Sequence, residues 1–467
     1  MPTPVTDPSV IEGYLTDASN IHGHAEGLVR PTSTEEVSAI LRYCQANNIA
    51  VTVSAGRTST TAAAVPQGGW VLSMERLNTI HHIGQDTAQA DGGVFLGAFQ
   101  TEIEAAGRFF PPDPTSRHEC SLGAAIACNA SGARSFRYGP TRPWVLGLTV
   151  VLPNGEVMEV KRGDSVPDDW PVVDWVEPHV KTAAGYAPTR DAVDFFIGQE
   201  GTLGIITRAT VRLTDLPAEI MGVLAYFPSR ASLLRFVDVA RTAARADRGG
   251  AVSPRCLEYY DSNCLELAAK RVGGVPSDAV CALFCEQEVQ PSHEEDGHMA
   301  AWWEALDEAG ALADDTLIAT DTATREMLLS LRHAIPAGVN EEVVANGMPK
   351  VGTDLAVPDS ALPAIMDAYE AAPMRHVLFG HIGDNHLHLN LLPKNEGELA
   401  RARAFYGELV KTTISLGGTV SAEHGIGKLK TAYLADMVGP EVIARFRALK
   451  QRLDPAWILG RGTMLTQ

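Results

Sequence analysis

Residues 380–390 read GHIGDNHLHLN and carry three histidines, one aspartate and two asparagines. From residue 386 onward, each leucine alternates with a histidine or an asparagine. Successive side chains of a β-strand point to opposite faces, so this alternation predicts a strand with one face in a core and a polar face lining a site. Because His381 precedes a Gly-Asp-Asn turn, we expect it to fold back over the same polar face.

A second polar segment, Glu423-His424-Gly425, follows further along the chain. Two imidazoles from the first stretch and the carboxylate of Glu423 would form a ligand set that suits a zinc-like ion and leaves a position open for substrate. His424 beside it would then serve as a base. The same ligands would also suit a zinc hydrolase that acts through water, and that alternative stays open.

Length and charge limit the classes of function. A chain of 467 residues is long for one core and predicts two domains. The formal net charge of −19 argues against nucleic acid and anionic membrane surfaces as partners. No apolar run is long enough to span a bilayer, so we expect a cytoplasmic protein, at most peripheral to a membrane. The scattered cysteines predict reduced thiols.

The two halves of the chain differ in pattern. Residues 28–214 combine short β-rich runs with Gly/Pro turns, and Ser33 with Glu36 forms a capping box that predicts a helix. Residues 148–160 read as a hairpin around Pro-Asn-Gly. After Pro217, amphipathic helices, predicted at 232–244, 299–308 and 322–333, alternate with strand-like runs. The sequence therefore predicts a second, α+β domain.

Three small-residue loops occur in the first half, at 54–63, 112–132 and 198–207. A loop without bulky side chains lets backbone N–H groups approach a phosphate closely. None of them has the Rossmann or P-loop spacing, so a dinucleotide would have to be bound by another fold. Taken singly, each loop could serve packing alone.

In this order, the three loops resemble the FAD domain of the vanillyl-alcohol-oxidase (PCMH-type FAD) superfamily. The 380–390 and 421–427 segments resemble the C-terminal part of its D-2-hydroxyacid dehydrogenase branch. That branch includes D-lactate dehydrogenases, the flavoprotein subunit of glycolate oxidase and D-2-hydroxyglutarate dehydrogenase. The resemblance implies an α+β fold with a PCMH-type FAD-binding domain at 1–216, an antiparallel-sheet substrate (cap) domain with the metal site at 217–425, and a C-terminal segment, 426–467, that returns to the FAD domain.

The resemblance also implies which residues bind the cofactor. Relatives with covalent flavin often carry a histidine in the first loop, where this chain has Arg57 and Thr58, so we expect non-covalent FAD. The expected FAD-binding residues are Ala55, Gly56, Arg57, Thr58, Ser59, Pro112, Asp113, Ser116, Gly123, Asn129, Ser131, Gly132, Glu200, Gly201, Gly204 and Ile206.

For the metal and the substrate, the resemblance implies a divalent ion, with zinc expected. The ligands would be His381, His388 and Glu423, the general base His424, and the substrate contacts Arg332, Lys350 and Asn390. The chain departs from the family pattern His-x-Gly-Asp-Gly-Asn-x-His at two positions. Asn385 tolerates a positive φ and can keep the turn. His386 could be a further ligand, a support for a ligand or a substrate contact.

The expected reaction is oxidation of a small, anionic D-2-hydroxy acid, such as D-lactate, to the 2-oxo acid. The hydride would go to flavin N5 and the electrons to a separate acceptor, which could be an electron-transfer flavoprotein, a quinone or a cytochrome. D-2-hydroxyglutarate, D-malate and glycolate are alternative substrates. Two alternatives belong to other functional classes. One is a non-catalytic flavin-binding subunit, and the other is the zinc hydrolase. Nucleic acid is not an expected partner, whereas a second copy in a homodimer is.

Overall fold

The chain divides into two compact units in the computed structural model, which describes residues 3–271, 273–289, 295–319 and 321–466. The first unit comprises Met1–Gly132, Gly139–Leu216 and Val420–Gln467, and the second comprises Ala133–Tyr138 and Pro217–Thr419. The layout implied by the resemblance places residues 420–425 with the substrate domain. They belong to the first unit, because Ala183 N donates to Ser421 O (2.9 Å) and Lys181 Nζ contacts Glu423 (2.8 Å).

The described strands, in chain order, are β1 (Gly27–Val29), β2 (Val51–Ser54), β3 (Trp70–Ser73), β4 (Ile80–Ile83), β5 (Thr87–Asp91), β6 (Arg108–Phe109), β7 (Val145–Val151), β8 (Val157–Lys161), β9 (Ile205–Arg212), β10 (Thr214–Asp215), β11 (Glu219–Phe227), β12 (Pro254–Tyr260), β13 (Cys281–Val289), β14 (Leu317–Ala319), β15 (Val351–Gly352), β16 (Leu355–Ala356), β17 (His376–His381) and β18 (His386–Leu391). The described α-helices are α1 (Pro8–Ile11), α2 (Thr34–Ala46), α3 (Leu96–Ala105), α4 (Leu122–Ala127), α5 (Ser135–Tyr138), α6 (Ala192–Phe196), α7 (Arg230–Ala246), α8 (Ser262–Arg271), α9 (Glu295–Ala309), α10 (Thr322–Asn346), α11 (Leu362–Glu370), α12 (Glu396–Ser415) and α13 (Thr431–Leu453). No helix of the described residues is long and apolar enough to cross a lipid bilayer.

Two sheets organise the first unit. A parallel sheet has the order β1-β3-β2, and an antiparallel sheet has the order β4-β5-β9-β7-β8. Helix α2 begins after Ser33, whose hydroxyl caps it by accepting from Glu36 N (3.2 Å), as predicted. The hairpin of β7 and β8 is also confirmed, with Val151 paired to Val157.

The segment after α13 runs beside β2 in the first unit. Val51 N donates to Ile458 O (2.7 Å), and Gly460 N donates to Val51 O (3.0 Å). A buried ion pair fixes this segment: Lys450 Nζ lies 2.5 Å from Asp454 Oδ2 and also donates to Leu459 O (2.9 Å). Strand β2 leads directly into the first small-residue loop, so the end of the chain supports the base of that loop.

The second unit is built on an antiparallel sheet of order β14-β11-β13-β12-β17-β18-β15, with β16 also paired to β18. Helices α8 and α10 cover one face, where Tyr260 and Phe284 of the sheet share a core with Ile335 and Val339 of α10. Helix α10 continues past Pro336, beyond the predicted end at residue 333. Burial of the residues on both sides of this proline holds the helix together across the missing N–H.

Candidate active site

A cavity of about 530 Å³ lies in the first unit, between the three small-residue loops. Most of the expected cofactor residues line it: Ala55, Gly56, Arg57, Thr58, Ser59, Ser116, Gly123, Ser131, Glu200, Gly201, Gly204 and Ile206. The lining also includes Glu423 and His424. The cavity therefore gathers loops from three parts of the sequence together with the second polar segment.

The first loop has the character of an anion-binding turn. Within the described part of the chain, no backbone amide of residues 56–60 donates a hydrogen bond to a protein acceptor. Arg57 adopts a positive φ of 55°, and such a turn directs successive N–H groups to one side. Gly56 packs so closely on the second loop that a Cβ would lie 1.7 Å from Glu119 O. Five available donors in a cavity of small side chains fit the pyrophosphate of a flavin dinucleotide.

Four expected cofactor residues do not line the cavity but hold its wall. Pro112 O accepts from Gln100 Nε2 (2.7 Å), and Asp113 Oδ1 accepts from Arg117 Nη1 (2.9 Å). Asn129 Oδ1 accepts from Arg142 N (3.0 Å). A Cβ on Gly132 would lie 1.8 Å from Asp113 O, so two stretches of backbone meet there. The residue types that allow close approach to a ligand also allow backbone to pack on backbone, and the sequence pattern alone does not separate these uses.

The segment that carries Glu423 and His424 is held from two sides within the first unit. Lys181 Nζ lies 2.8 Å from Glu423 Oε2, and both side chains are largely buried. His424 Nε2 lies 3.7 Å from Glu423 Oε1, and the His424 carbonyl accepts from the Thr61 hydroxyl (3.3 Å). Lys181 was missed in the sequence because it lies in an irregular stretch remote from Glu423.

Glu200 supports the same segment from the cavity wall. Its two carboxylate oxygens accept from the backbone amides of Ile426 and Gly427, each at 2.7 Å. Burial raises the pKa of Glu200 to about 7, although these two amides and Lys430 act in the opposite direction. The arrangement keeps the turn after His424 in one position against the cavity.

In the second unit, three histidines converge on one face of the β17–β18 hairpin. The ring centroids of His381 and His386 are 5.5 Å apart, those of His381 and His388 5.4 Å, and those of His386 and His388 4.4 Å. One ring nitrogen of each lies within 4.8 Å of those of the others. The predicted strand is confirmed as β18, and Asn385 makes the turn with a φ of 53°.

Each imidazole of this cluster has a polar partner. Nδ1 of His381 lies 2.6 Å from Glu258 Oε1, and Nδ1 of His388 lies 3.3 Å from Thr353 O. Nε2 of His386 lies 3.1 Å from Asp354 Oδ1. Partners of this kind orient metal-binding histidines and fix their tautomers. The two carboxylates were missed in the sequence because the pairing of β12 with β17 and the path from β15 to β16, which bring them here, depend on the tertiary fold.

The expected substrate contacts lie in the same unit. Arg332 on α10 has its guanidinium 3.8 Å from Glu258 Oε2, and although burial opposes the charge, Glu258 raises the pKa of Arg332. Asn390 is buried on β18 opposite Gly352, whereas the side chain of Lys350, just before β15, is accessible although burial around its ammonium group lowers its pKa. The structure thus joins Arg332 to His381 through Glu258, and Lys350 remains a predicted substrate contact.

Comparisons with known proteins agree over nearly the whole chain. Residues 225–464 match the family described as FAD linked oxidases, C-terminal domain, and residues 25–161 match an FAD binding domain. Similar curated proteins include a D-2-hydroxyglutarate dehydrogenase of Xanthomonas citri pv. viticola (32% identical over 98% of this chain and 93% of the relative), a D-lactate dehydrogenase of Anaerostipes hadrus (30%; 97% and 92%) and the glycolate oxidase subunit GlcD of Bacillus subtilis (28%; 95% and 89%). A solved alkyldihydroxyacetonephosphate synthase has the same fold, with a TM-score of 0.67 and 18% identity over 94% of this chain and 76% of that one.

Proposed function

Because the chain belongs to the family of FAD-linked oxidases, we propose that it uses non-covalent FAD to oxidise a small D-2-hydroxy acid, D-lactate first among them, to the 2-oxo acid. The observation that carries this proposal is the single cavity that combines an anion-binding loop with Glu423 and His424. A catalytic segment in the wall of a dinucleotide cavity is what a redox enzyme of this class requires. The cavity also argues against the zinc hydrolase, which has no use for it.

FAD bound in this cavity would accept the hydride that leaves C2 of the substrate. The chain's own residues position the cofactor and handle the proton. Amides of residues 56–60 are suited to the pyrophosphate, and the small side chains of the second and third loops leave room for the ring system. His424 Nε2 would take the proton of the C2 hydroxyl, because a neutral imidazole is the side-chain base most often used for this step.

Lys181 and Glu200 would keep this proton acceptor in place. Lys181 balances the charge of Glu423, and Glu200 holds the amides that follow His424. A metal ion of the zinc type bound by His381 and His388 would supply a Lewis acid for the substrate hydroxyl. The polar partners of both histidines support this part of the proposal.

The charge around Arg332 favours a substrate with one carboxylate. Glu258 already balances the guanidinium, so a second carboxylate group would have to compete with it. This favours D-lactate or glycolate over D-malate and D-2-hydroxyglutarate. We propose that the reduced cofactor passes its electrons to a separate acceptor (an electron-transfer flavoprotein, a quinone or a cytochrome).

The test is anaerobic reduction of the purified yellow protein. D-lactate, glycolate, D-malate and D-2-hydroxyglutarate are mixed with it separately, L-lactate serves as the stereochemical control, and the flavin absorbance is followed with and without a chelator. We expect D-lactate to bleach the flavin and His424→Asn to bleach it far more slowly at equal flavin content. Bound FAD that none of the hydroxy acids reduces would refute the proposal in favour of a non-catalytic flavin-binding subunit.

A further inference from the structure

We infer that His386 is itself a metal ligand, so that three imidazoles of the second unit, those of His381, His386 and His388, hold the divalent ion of this chain. The inference rests on the proposed function for the presence of a metal ion. It concerns one of the two positions at which the chain departs from the pattern of the family it resembles, the one where an asparagine is expected and a histidine is found.

The hairpin register brings the third imidazole to the other two. His386 begins β18 directly after the turn and pairs with His381 across the ladder, while His388 follows two positions later on the same face. Asn385, whose Nδ2 donates to Asp359 Oδ1 (2.7 Å), holds the turn in the left-handed conformation. The convergence is therefore built into the backbone of the hairpin.

The burial of His386 beside the other two imidazoles fits a role as a ligand. Its side chain is fully buried, and its ring centroid lies 4.4 Å from that of His388, the shortest of the three separations. Packing alone would be served better by an apolar residue, because a buried imidazole has two polar nitrogens to satisfy. Coordination of a cation gives one of these nitrogens a strong partner.

The polar partners direct one lone pair of each ring into the cluster. A proton on Nδ1 of His381, held by Glu258, leaves the lone pair on Nε2, and the same holds for His388 with Thr353 O. For His386 the neighbouring carboxylate lies on the other side of the ring: Asp354 Oδ1 is 3.1 Å from Nε2, and a proton on Nε2 would leave the lone pair on Nδ1. With these tautomers each ring offers one nitrogen to a cation, in keeping with ring nitrogens that lie within 4.8 Å of one another.

This ligand set predicts which ions the site selects. Three imidazoles favour zinc, cobalt, nickel or copper over magnesium, calcium and manganese, which prefer oxygen ligands. Imidazoles are neutral ligands and add no negative charge to the ion, which favours its action as a Lewis acid. A set of two imidazoles and Glu423 would be less selective.

The experiment measures metal binding on the full-length flavoprotein. Zinc affinity is determined by competition with a chromophoric chelator, and the visible spectrum of the cobalt-substituted protein reports coordination. The variants are His386→Asn, His388→Asn as the positive control, and Glu423→Gln. His376→Asn is the matched control, because His376 lies on the same hairpin but its Nδ1 faces Met374 O (3.0 Å). Flavin content and circular dichroism establish that each variant is folded.

We expect His386→Asn to weaken zinc binding by about 100-fold or more, since the loss of a residue that merely supports a ligand already costs roughly 10–100-fold. The cobalt spectrum should change with it, His376→Asn should bind as the wild type does, and Glu423→Gln should weaken binding less than His386→Asn. Asp354→Asn, which keeps the imidazole, should weaken binding by about 10-fold.

Wild-type affinity and an unchanged cobalt spectrum in His386→Asn would overturn the inference, as would a wild-type protein that retains no divalent ion. If zinc binding depends on His386 and yet no hydroxy acid reduces the flavin, the metal centre stands and the proposed function fails. If D-lactate bleaches the flavin and His386→Asn binds zinc as tightly as the wild type does, the proposed function stands and the role of His386 as a ligand is refuted.

Discussion

The carboxyl group of Glu200 makes the stability of the first unit depend on pH in a way that can be isolated by one substitution. Its pKa is raised from 4.5 to about 7, chiefly by burial. The folded chain therefore binds the proton more tightly than the unfolded chain. This contribution to stability is fully present below the pKa that Glu200 has in the unfolded chain. It is lost as the pH rises through the pKa in the folded chain, about 7.

The magnitude follows from the size of the shift. At about 1.4 kcal/mol per pKa unit, the whole effect is about 3 kcal/mol, of which about 2 kcal/mol falls between about pH 5.5 and about pH 8. In Glu200→Gln the titration is absent, and all other groups cancel when the two proteins are compared. We expect the wild type to lose about 2 kcal/mol relative to this variant across that range.

The assay is denaturant unfolding of the flavin-depleted protein at a series of pH values. Glu104→Gln, which alters an exposed carboxylate of the same unit, is the control and should follow the wild type at every pH. Glu200→Gln also loses one of the two hydrogen bonds from backbone amides. This loss shifts the free energy of unfolding by the same amount at every pH and does not change its dependence on pH. A difference between the wild type and Glu200→Gln that does not vary with pH would refute the reasoning.

Three further substitutions test other contacts. Asp454→Asn should lower the free energy of unfolding by about 3–5 kcal/mol, because the buried charge of Lys450 loses its partner. Denaturant unfolding measures this, and a loss below about 1 kcal/mol would contradict it. Lys181→Met should lower kcat by about 10–100-fold at unchanged flavin content, because Glu423 loses its buried cation; wild-type turnover would exclude a supporting role. Tyr260→Phe should leave thermal stability unchanged or raise it by up to about 1 kcal/mol, since the hydroxyl has no hydrogen-bond partner among the described residues; a drop in melting temperature would show a hidden partner.

Local patterns carried the successful predictions. The alternation in residues 386–391 predicted β18, the capping box at Ser33 predicted the start of α2, and the tolerance of Asn385 for positive φ predicted an intact turn. Each depends on neighbours within a few positions, where backbone geometry and side-chain direction are fixed by the local sequence. The resemblance supplied the loops that line the cavity.

Contacts between distant segments escaped prediction. Glu258 reaches His381 only through the pairing of β12 with β17, and Lys181 reaches Glu423 from an irregular stretch. Neither has a periodic or compositional signal. The length of α10 was underestimated for a related reason: burial beyond Pro336, a property of the assembled core, outweighs the local effect of the proline.

The first unit is assembled from both ends of the chain, and this has a consequence during biosynthesis. Its cavity wall includes Glu423 and His424, and β2 is flanked by residues 458–460, which the ribosome adds long after β2 itself. The earlier segments of the unit must wait in an incomplete state while the whole second unit emerges. Retention of the yellow cofactor would therefore report complete translation, and chains shortened before residue 458 should emerge colourless.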